Sequence, residues 1–228
     1  MTYKNIHKGV FVSRPNRFIA EVEINGKVEI CHVKNTGRCR ELLIPGVAVY
    51  VNYVKSPSRS TQYDLIAVEK GDVLINMDSY APNLAFGEYL RDGNFLEISD
   101  ITYVKAEAKY GKSRFDFYVE TATSKAFVEV KGVTLEENGI AMFPDAPTER
   151  GIKHLNELAA CIADGYDAYV VFVIQMKGIS HFTPNYKIHE AFGETLAKVA
   201  GMGVKVRAFD CIVTPSEMVI DRPISIRL

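Results

Sequence analysis

The amino-acid sequence predicts two domains, a small β-barrel followed by an α/β domain on a mixed sheet. Its 228 residues, 47% of them hydrophobic, are enough for two small cores. The first eighty residues contain short strand-like segments separated by turn signals, whereas helical patterns alternate with strands from residue 81 onwards. The basic and acidic residues are also unevenly distributed along the chain. Residues 1–60 carry ten Lys and Arg against four Asp and Glu, and the remainder carries 17 against 24.

Five segments of the first domain, residues 1–80, have the composition of β-strands: RFIAEVEI, VEICHV, AVYVNYV, YDLIAVE and VLINM. Asn25-Gly26 between the first two is typical of a tight hairpin turn. The segment TGRCRELLIPG adds a helical turn that ends at Pro45-Gly46. Five short strands with one inserted helical turn predict a barrel of the OB type, a fold that commonly binds nucleic acid.

The second domain, residues 81–228, alternates between helical and extended patterns. Helical spacing that stops at a glycine is found in NLAFGEYLRDG, PTERGIKHLNELAACIADG and NYKIHEAFGETLAKVAGMG. The predicted strands are ITYVKAEAKYG, SRFDFYVE, AFVEVKGV, AYVVFVI and VKVRAFDCIV. AYVVFVI is apolar throughout, which is typical of a strand buried on both faces. The resulting order, α-β-β-β-α-β-α-β, predicts a mixed central sheet.

Composition excludes some classes of protein. AYVVFVI is the longest apolar run and is too short to span a bilayer. The N-terminus lacks the apolar stretch of a signal peptide. The four cysteines show neither a C-x-x-C pair nor the spacing of zinc ligands. We therefore expect a cytoplasmic protein with free thiols and no membrane partner.

The segment FDFYVETATSKAFVEVKGV predicts a β-hairpin that carries chemistry on one face. Alternation places Phe115 and Phe117 on an apolar face, and pairing Phe117 with Val128 would set Asp116 directly opposite Glu129. Opposed Cβ atoms lie about 4.5–5.5 Å apart, so the two carboxylates would repel each other unless a cation neutralised them. Mg²⁺ binds a few carboxylate oxygens and shares its other positions with water and phosphate. The pattern therefore predicts a site for Mg²⁺ or Mn²⁺, since both favour carboxylate oxygen.

Two further residues complete the predicted catalytic group. Lys131 projects on the same side as Glu129, where it could activate water or stabilise charge on a phosphoryl group. Glu107, on the strand before Asp116, is either a third ligand or base, or a surface charge on an edge strand. Two acids, a divalent ion and an ammonium group together predict hydrolysis of a phosphodiester.

The order FD, hairpin, EVK resembles the PD-(D/E)xK nuclease core, in which an Asp and a Glu from adjacent strands hold Mg²⁺ and a Lys serves hydrolysis. Asp116, Glu129 and Lys131 match those positions, while Phe115 replaces the proline, which is not a ligand. The longer strings RPNRF, NTGRCREL, YGKSRFDF, VEVKGVTL and FPDAPTERGIKHLNEL resemble the sugar fermentation stimulation protein A family. That resemblance implies a DNA-binding protein with an OB-like N-terminal domain and a nuclease-like C-terminal domain.

Basic and amide side chains near turns and a helix start are the predicted contacts to nucleic acid. In the barrel they are Arg14, Asn16, Arg17, Asn35 and Arg38, and in the second domain Arg114, Arg150, Lys153 and His154. Cations in a first helical turn oppose the macrodipole by about 0.3–1 kcal/mol each, a cost that a bound phosphate would reverse. The alternative for Arg150 and Lys153 is a solvated helix face with i,i+4 ion pairs.

The sequence thus predicts a DNA-binding protein with a divalent-metal-dependent phosphodiesterase site, and DNA is favoured over RNA as its partner. One alternative is a non-catalytic DNA-binding regulator of sugar metabolism, whose acids are vestigial or hold a structural cation. Another is a sugar- or nucleotide-binding enzyme, which would show no salt-dependent affinity for DNA. A homodimer is left open.

Overall fold

The computed structural model describes residues 1–35, 37–111 and 113–228, and its first domain is a closed five-stranded barrel. The barrel strands are β1 (Ile6–Asn16), β2 (Ile19–Ile24), β3 (Lys27–Val33), β4 (Ala48–Tyr53) and β5 (Tyr63–Lys70). They lie in the order β3-β2-β1-β4-β5, and parallel pairing of β3 with β5 closes the ring. The OB-type prediction is therefore confirmed.

One of the five strands that form the barrel differs from the prediction. The sequence pattern misses β1, because Pro15 indicates a turn and Gly9 lies in the middle of the strand. Gly9 is needed there, since an added Cβ would lie 2.5 Å from Val22 of the neighbouring strand. VLINM, expected to be a barrel strand, instead forms β6 (Val73–Asn76), which extends the sheet beyond β5.

The helical turn predicted over TGRCRELLIPG begins at Thr36, which lies outside the described residues. The rest of the segment contains one hydrogen-bonded turn, in which the Leu43 N–H donates to the Cys39 carbonyl over 2.9 Å. A single turn of this kind is enough to carry the chain from β3 to β4.

The second domain is built on a six-stranded mixed sheet with the order β15-β14-β12-β9-β8-β7. Its elements are α1 (Ala81–Arg91), β7 (Ile101–Tyr110), β8 (Ser113–Thr121), β9 (Lys125–Val133), α2 (Glu149–Ala163), β12 (Asp167–Ile174), α3 (Tyr186–Gly201), β14 (Lys205–Thr214) and β15 (Glu217–Pro223). β9, β12 and β14 run parallel, while β7, β8 and β15 are antiparallel to their neighbours. The predicted mixed sheet is confirmed.

A small second sheet was not predicted. It consists of β10 (Leu135–Glu137), β11 (Ile140–Phe143), β13 (His181–Pro184) and β16 (Ser225–Ile226). These strands have four residues or fewer. Segments this short carry too little periodicity to be recognised, and they form because they pair with one another.

The central sheet is covered on both faces, whereas the sequence predicted a single apolar face for the hairpin. Phe117 packs against Phe86 of α1 with ring centroids 5.7 Å apart. Phe115 instead packs 5.4 Å from Phe127, in the cluster that also contains Leu155 of α2. The predicted shared face of Phe115 and Phe117 is therefore wrong, because the alternation of β8 is interrupted between them.

The interruption lies opposite a distortion in the neighbouring strand. β7 pairs Ala106 with Phe117 and Ala108 with Phe115, and Glu107 between them has a left-handed φ of 53°. A non-glycine residue in this region is strained, although the β7–β8 register is the same on both sides of it. Asp116, which faces Glu107, lies outside the residue pairs of both neighbouring ladders.

The two domains share polar contacts as well as a continuous hydrophobic cluster. Gln175 Nε2 donates to the carbonyls of Asn76 and Asp78 over 3.0 and 3.1 Å. Lys70 Nζ of β5 donates to the Glu136 carboxylate of β10 over 2.6 Å. The backbone N–H of Tyr3 donates to the turn before β15, so the first residues of the chain lie on the second domain. This interface holds the barrel against the site described below.

None of the helices in the described ranges is long and apolar enough to cross a membrane. Cys31, Cys39, Cys161 and Cys211 are buried free thiols, as predicted.

Candidate active site

The hairpin of β8 and β9 brings Asp116, Glu129 and Lys131 together at the end remote from its loop. The ladder pairs Phe117 with Val128, which confirms the predicted register up to that point. The expected direct pair of Asp116 with Glu129 is replaced by a side-chain contact, because the Val130 N–H donates to Asp116 Oδ2 over 2.7 Å. The β8–β9 ladder ends at the Phe117–Val128 pair, and Asp116 and Glu129 lie just beyond it.

Asp116 is oriented from two sides. Val130 N–H holds Oδ2, and Asn83 Nδ2 in the first turn of α1 donates to Oδ1 over 2.7 Å. Burial and the negative charge of Glu129 raise the pKa of Asp116 to about 6, against the opposing effects of these hydrogen bonds and of Lys131. Asn83 was not among the predicted residues, since the only signal for it is its place at the start of a helix.

Glu129 is buried, with a side chain that is 5% exposed. Its Oε1 accepts a hydrogen bond from Lys131 Nζ over 2.6 Å and lies against His154 Nδ1. Burial opposes ionisation, but the contacts with His154 and Lys131 outweigh it and lower the pKa of Glu129. Its Oε2 is also buried and has no hydrogen-bond partner among the described residues.

The unpartnered Oε2 of Glu129 is the feature that fits a divalent cation. A buried polar atom without a partner costs about 1–3 kcal/mol, and more if charged, so a missing partner is expected. Asp116 supplies a second carboxylate, whose raised pKa would fall beside a positive charge. Within the described ranges no three His, Cys, Asp or Glu side chains are grouped as metal ligands. A donor set of two carboxylates would suit an oxygen-preferring ion that keeps most of its waters.

Stability of the metal-free protein is expected to depend on the ionisation of Asp116. Folding raises the pKa of this carboxyl, so its favourable contribution is complete below about pH 4 and is lost as the pH rises through about 6. Glu129 has a lowered pKa, and its contribution changes only below about pH 4.3. In EDTA, the melting temperature of Asp116→Asn minus that of wild type should therefore increase between about pH 5 and about pH 7. A constant difference across that range would mean that Asp116 is already ionised at the lower pH.

Glu107 is not brought to the two acids. Its side chain is 63% exposed and pairs with Arg114 at 3.6 Å on the outer side of the β7–β8 hairpin. The structure therefore favours the surface-charge alternative for Glu107 over a ligand or base. Glu88 of α1, another acid near the hairpin, pairs with the terminal ammonium of Met1.

The four residues predicted in the second domain do come together. An open cleft of about 540 Å³ at the start of α2, here called the α2 cleft, is lined by Ser113, Arg114, Glu149, Arg150, Lys153 and His154. Thr148 caps the helix by accepting a hydrogen bond from the Gly151 N–H over 3.0 Å. His154 is buried rather than on the solvated face, and it links this cleft to Glu129.

Arg14 of the barrel has a structural role that the sequence did not indicate. Its NH1 donates to the carbonyls of Gly37 and Arg38 over 2.9 and 2.6 Å. Its NH2 donates to the carbonyls of Arg17 and Asn35, each over 2.8 Å. Four carbonyl acceptors occupy the guanidinium, so Arg14 joins the two loops that line this end of the barrel.

The predicted amides of the barrel also act within the protein. Asn16 Oδ1 accepts a hydrogen bond from the Phe18 N–H, and Asn35 Oδ1 accepts one from the Gly37 N–H, both over 2.8 Å. Both hydrogen bonds close local turns that shape the loops, which is the usual role of asparagine at such positions. They hold the neighbouring arginines in place.

Three of the exposed cations on the barrel are arginines that lie close together. Arg17, Arg38 and Arg40 are exposed and line an open hollow of about 290 Å³, here called the arginine hollow. The ion pairs described for the barrel involve other side chains. Arg40, two residues after Arg38, belongs to the same basic turn of the sequence.

Comparison with known proteins identifies both domains. Residues 12–77 match the family model "SfsA N-terminal OB domain", and residues 80–217 match "Sugar fermentation stimulation protein RE domain". A relative from Desulfitobacterium hafniense strain DCB-2, named "Sugar fermentation stimulation protein homolog", is 61% identical over 94% of this chain and 92% of its own. A homolog of the same name from Ruminiclostridium cellulolyticum is 55% identical over 100% of both chains.

A solved structure is similar over the whole chain. "The structure of Pyrococcus Furiosus SfsA in complex with Ca2+" is 29% identical and covers 100% of this chain and 98% of its own, with a TM-score of 0.91. The arrangement of barrel and α/β domain is thus common to both proteins.

Proposed function

The chain belongs to the sugar fermentation stimulation protein family, and from the geometry of its hairpin we propose that it is a DNA-binding phosphodiesterase that depends on a divalent metal. The observation that carries the proposal is the buried, unpartnered Oε2 of Glu129 beside Asp116. A second observation supports it, since the Pyrococcus furiosus relative is described in complex with Ca²⁺. Ca²⁺ and Mg²⁺ share a preference for oxygen ligands.

Asp116 and Glu129 are the residues that would hold the ion. When bound, it would polarise a phosphoryl oxygen and lower the pKa of a water molecule. Val130 N–H and Asn83 fix the orientation of Asp116. His154 and Lys131 occupy Oε1 of Glu129, so that Oε2 is the oxygen left to bind.

Lys131 is the group best placed to act on the substrate. Its side chain is 14% exposed and its ammonium lies 2.6 Å from Glu129, next to the proposed ion position. An ammonium there stabilises the negative charge that develops on phosphate during hydrolysis, and it can orient the attacking water. This is the role that the sequence predicted for it.

Two basic surfaces would hold the DNA. The α2 cleft offers Arg150, Arg114 and Lys153, of which Arg114 and Lys153 have only long pairs, at 3.6 and 3.7 Å, with exposed or half-buried acids. Such surface ion pairs contribute little to stability, so a phosphate group can replace the acid in each pair. The arginine hollow offers three more cations on the barrel. Binding through six cations would make the affinity strongly dependent on salt.

The proposal is tested by incubating the purified protein with supercoiled and single-stranded DNA. We expect cleavage with Mg²⁺ or Mn²⁺ and none in EDTA. Because the ion would bind the folded state, saturating it at about a hundred times its dissociation constant should stabilise the fold by about 2.7 kcal/mol, read as a rise in melting temperature. If the protein shows neither cleavage nor a metal-dependent rise in melting temperature, the proposal is contradicted.

The non-catalytic alternative is favoured by one observation. Lys131 pairs with Glu129, and His154 contacts the same carboxylate oxygen, so the carboxylate has a cationic partner without an ion. Salt-dependent DNA binding with no cleavage under any metal would support this regulator-like function. Absence of DNA binding at every salt concentration would leave only an enzyme that acts on small molecules.

A further inference from the structure

A groove lined by tyrosines and lysines lies on the outer side of the β7–β8 hairpin. It has a volume of about 460 Å³, and its lining includes Tyr103, Tyr118, Tyr166, Lys105, Lys109 and Arg114. We propose that this tyrosine groove binds a single-stranded segment of the nucleic acid that enters the hairpin site. The inference rests on the proposed function and adds the strandedness of the substrate to it.

The aromatic side chains of the groove form a connected row. Ring centroids of Tyr103 and Tyr118 are 6.4 Å apart, and those of Tyr118 and Tyr166 are 6.5 Å apart. Tyr103, at the outer end, is 48% exposed. Exposed aromatic rings are suited to stacking with bases, and this kind of contact tolerates any sequence because every base has a π-face.

The groove also carries positive charge. Lys105 and Lys109 are exposed on β7 and line it together with Arg114. The ion pairs described around the groove, Arg114 with Glu107 and Lys125 with Glu120, do not involve either lysine. Cations beside aromatic rings are the combination that proteins use to follow the backbone of a single strand while its bases stack.

Arg114 connects the tyrosine groove to the candidate active site. It lines both the groove and the α2 cleft. The α2 cleft contains His154, which lies against Glu129. A strand lying in the groove would therefore reach the α2 cleft at Arg114, and the acids along this way are Glu107, which Arg114 already pairs, and Glu149, which is 88% exposed.

Two features favour a single strand over a duplex or a second protein chain. Bases of a duplex are stacked on one another, so their faces are not available to Tyr103. The free edge of β7 is protected against pairing with another β-strand by the left-handed backbone of Glu107 and by its lysines. The positive charge and the exposed aromatic rings of the groove together therefore favour single-stranded nucleic acid as its ligand.

The test is fluorescence anisotropy of the full chain with labelled single-stranded and duplex DNA of equal length, in EDTA and at several salt concentrations. Tyr103→Ala should weaken single-strand binding about tenfold, while Tyr103→Phe retains it because the ring remains. Lys105→Ala with Lys109→Ala should lower the slope of log affinity against log salt by about 1.4. The matched control, Lys187→Ala with Lys198→Ala on exposed positions of α3, should leave that slope unchanged.

A second measurement locates the strand directly. Photo-crosslinking of single-stranded DNA containing 5-iodouracil, followed by peptide mapping, should mark the peptides that contain Tyr103 or Tyr166. Wild-type affinity in the Tyr103 and lysine variants, or crosslinks confined to the barrel, would overturn the inference, as would a change of oligomeric state instead of DNA affinity. Those outcomes are distinct from failure of the proposed function, in which the wild-type protein neither cleaves DNA nor responds to metal.

Discussion

Replacing Asp116 with asparagine is expected to reduce metal-dependent cleavage of DNA by about a thousandfold, while DNA affinity in EDTA stays within about twofold of wild type. The substitution keeps the size of the side chain but removes its negative charge. Asp116 accepts hydrogen bonds from Val130 N–H and Asn83, which hold it in the orientation that the proposed ion would need. The basic surfaces that would bind phosphate are not altered.

Cleavage rates should be measured with Mg²⁺ and Mn²⁺, and Ca²⁺ affinity by calorimetry, so that loss of the ion is separated from loss of chemistry. Asp72→Asn, on an exposed turn between β5 and β6, is the matched control and should behave like wild type. A variant that keeps both cleavage and Ca²⁺ affinity would show that Asp116 is not a ligand.

Replacing Glu129 with glutamine is expected to have the largest effect on stability. The carboxylate lies between Lys131 and His154, whose side chains are 14% and 8% exposed. Removing one partner of a buried ion pair costs about 3–5 kcal/mol, because the remaining charge is left uncompensated. In a chain of this size that corresponds to a fall of roughly 10 °C in melting temperature. Thermal melts in EDTA measure it without interference from metal.

A double variant distinguishes the loss of stability caused by the uncompensated charge from a loss of packing. In the double variant Glu129→Gln with Lys131→Met, the unpaired ammonium is gone, so part of the stability should return. Glu194→Gln on the exposed face of α3 is the control and should change stability by less than about 0.5 kcal/mol. A Glu129→Gln variant as stable as wild type would contradict the ion-pair geometry described here.

Much of the fold could be predicted because its signals are local. The turn at Asn25-Gly26, the continuous apolar run of β12 and the spacing of the helices each depend on neighbouring residues. Pairing of Phe117 with Val128 was predictable for the same reason, since a short hairpin has few registers. Strand β1 and the small second sheet were missed, because their segments become strands only through distant partners.

Within the site, residue types were easier to predict than their contacts. Asp116, Glu129 and Lys131 are separated by few residues across one hairpin, so their proximity follows from local pairing. Arg14 was predicted to bind phosphate, but its four carbonyl partners come from loops that only the folded barrel brings together. Glu107 was a candidate ligand, but in the folded hairpin its exposed side chain lies beside Arg114.

By itself the sequence determined the two domains, the hairpin and the presence of two acids and a lysine at its open end, because each follows from periodicities of a few residues. The tertiary structure alone decided that Glu129 is buried between Lys131 and His154 and that one of its oxygens has no partner among the described residues. His154 belongs to α2, which reaches the hairpin only when the helix packs on the sheet. Burial and unmet hydrogen bonds depend on such distant packing, and no local pattern encodes them.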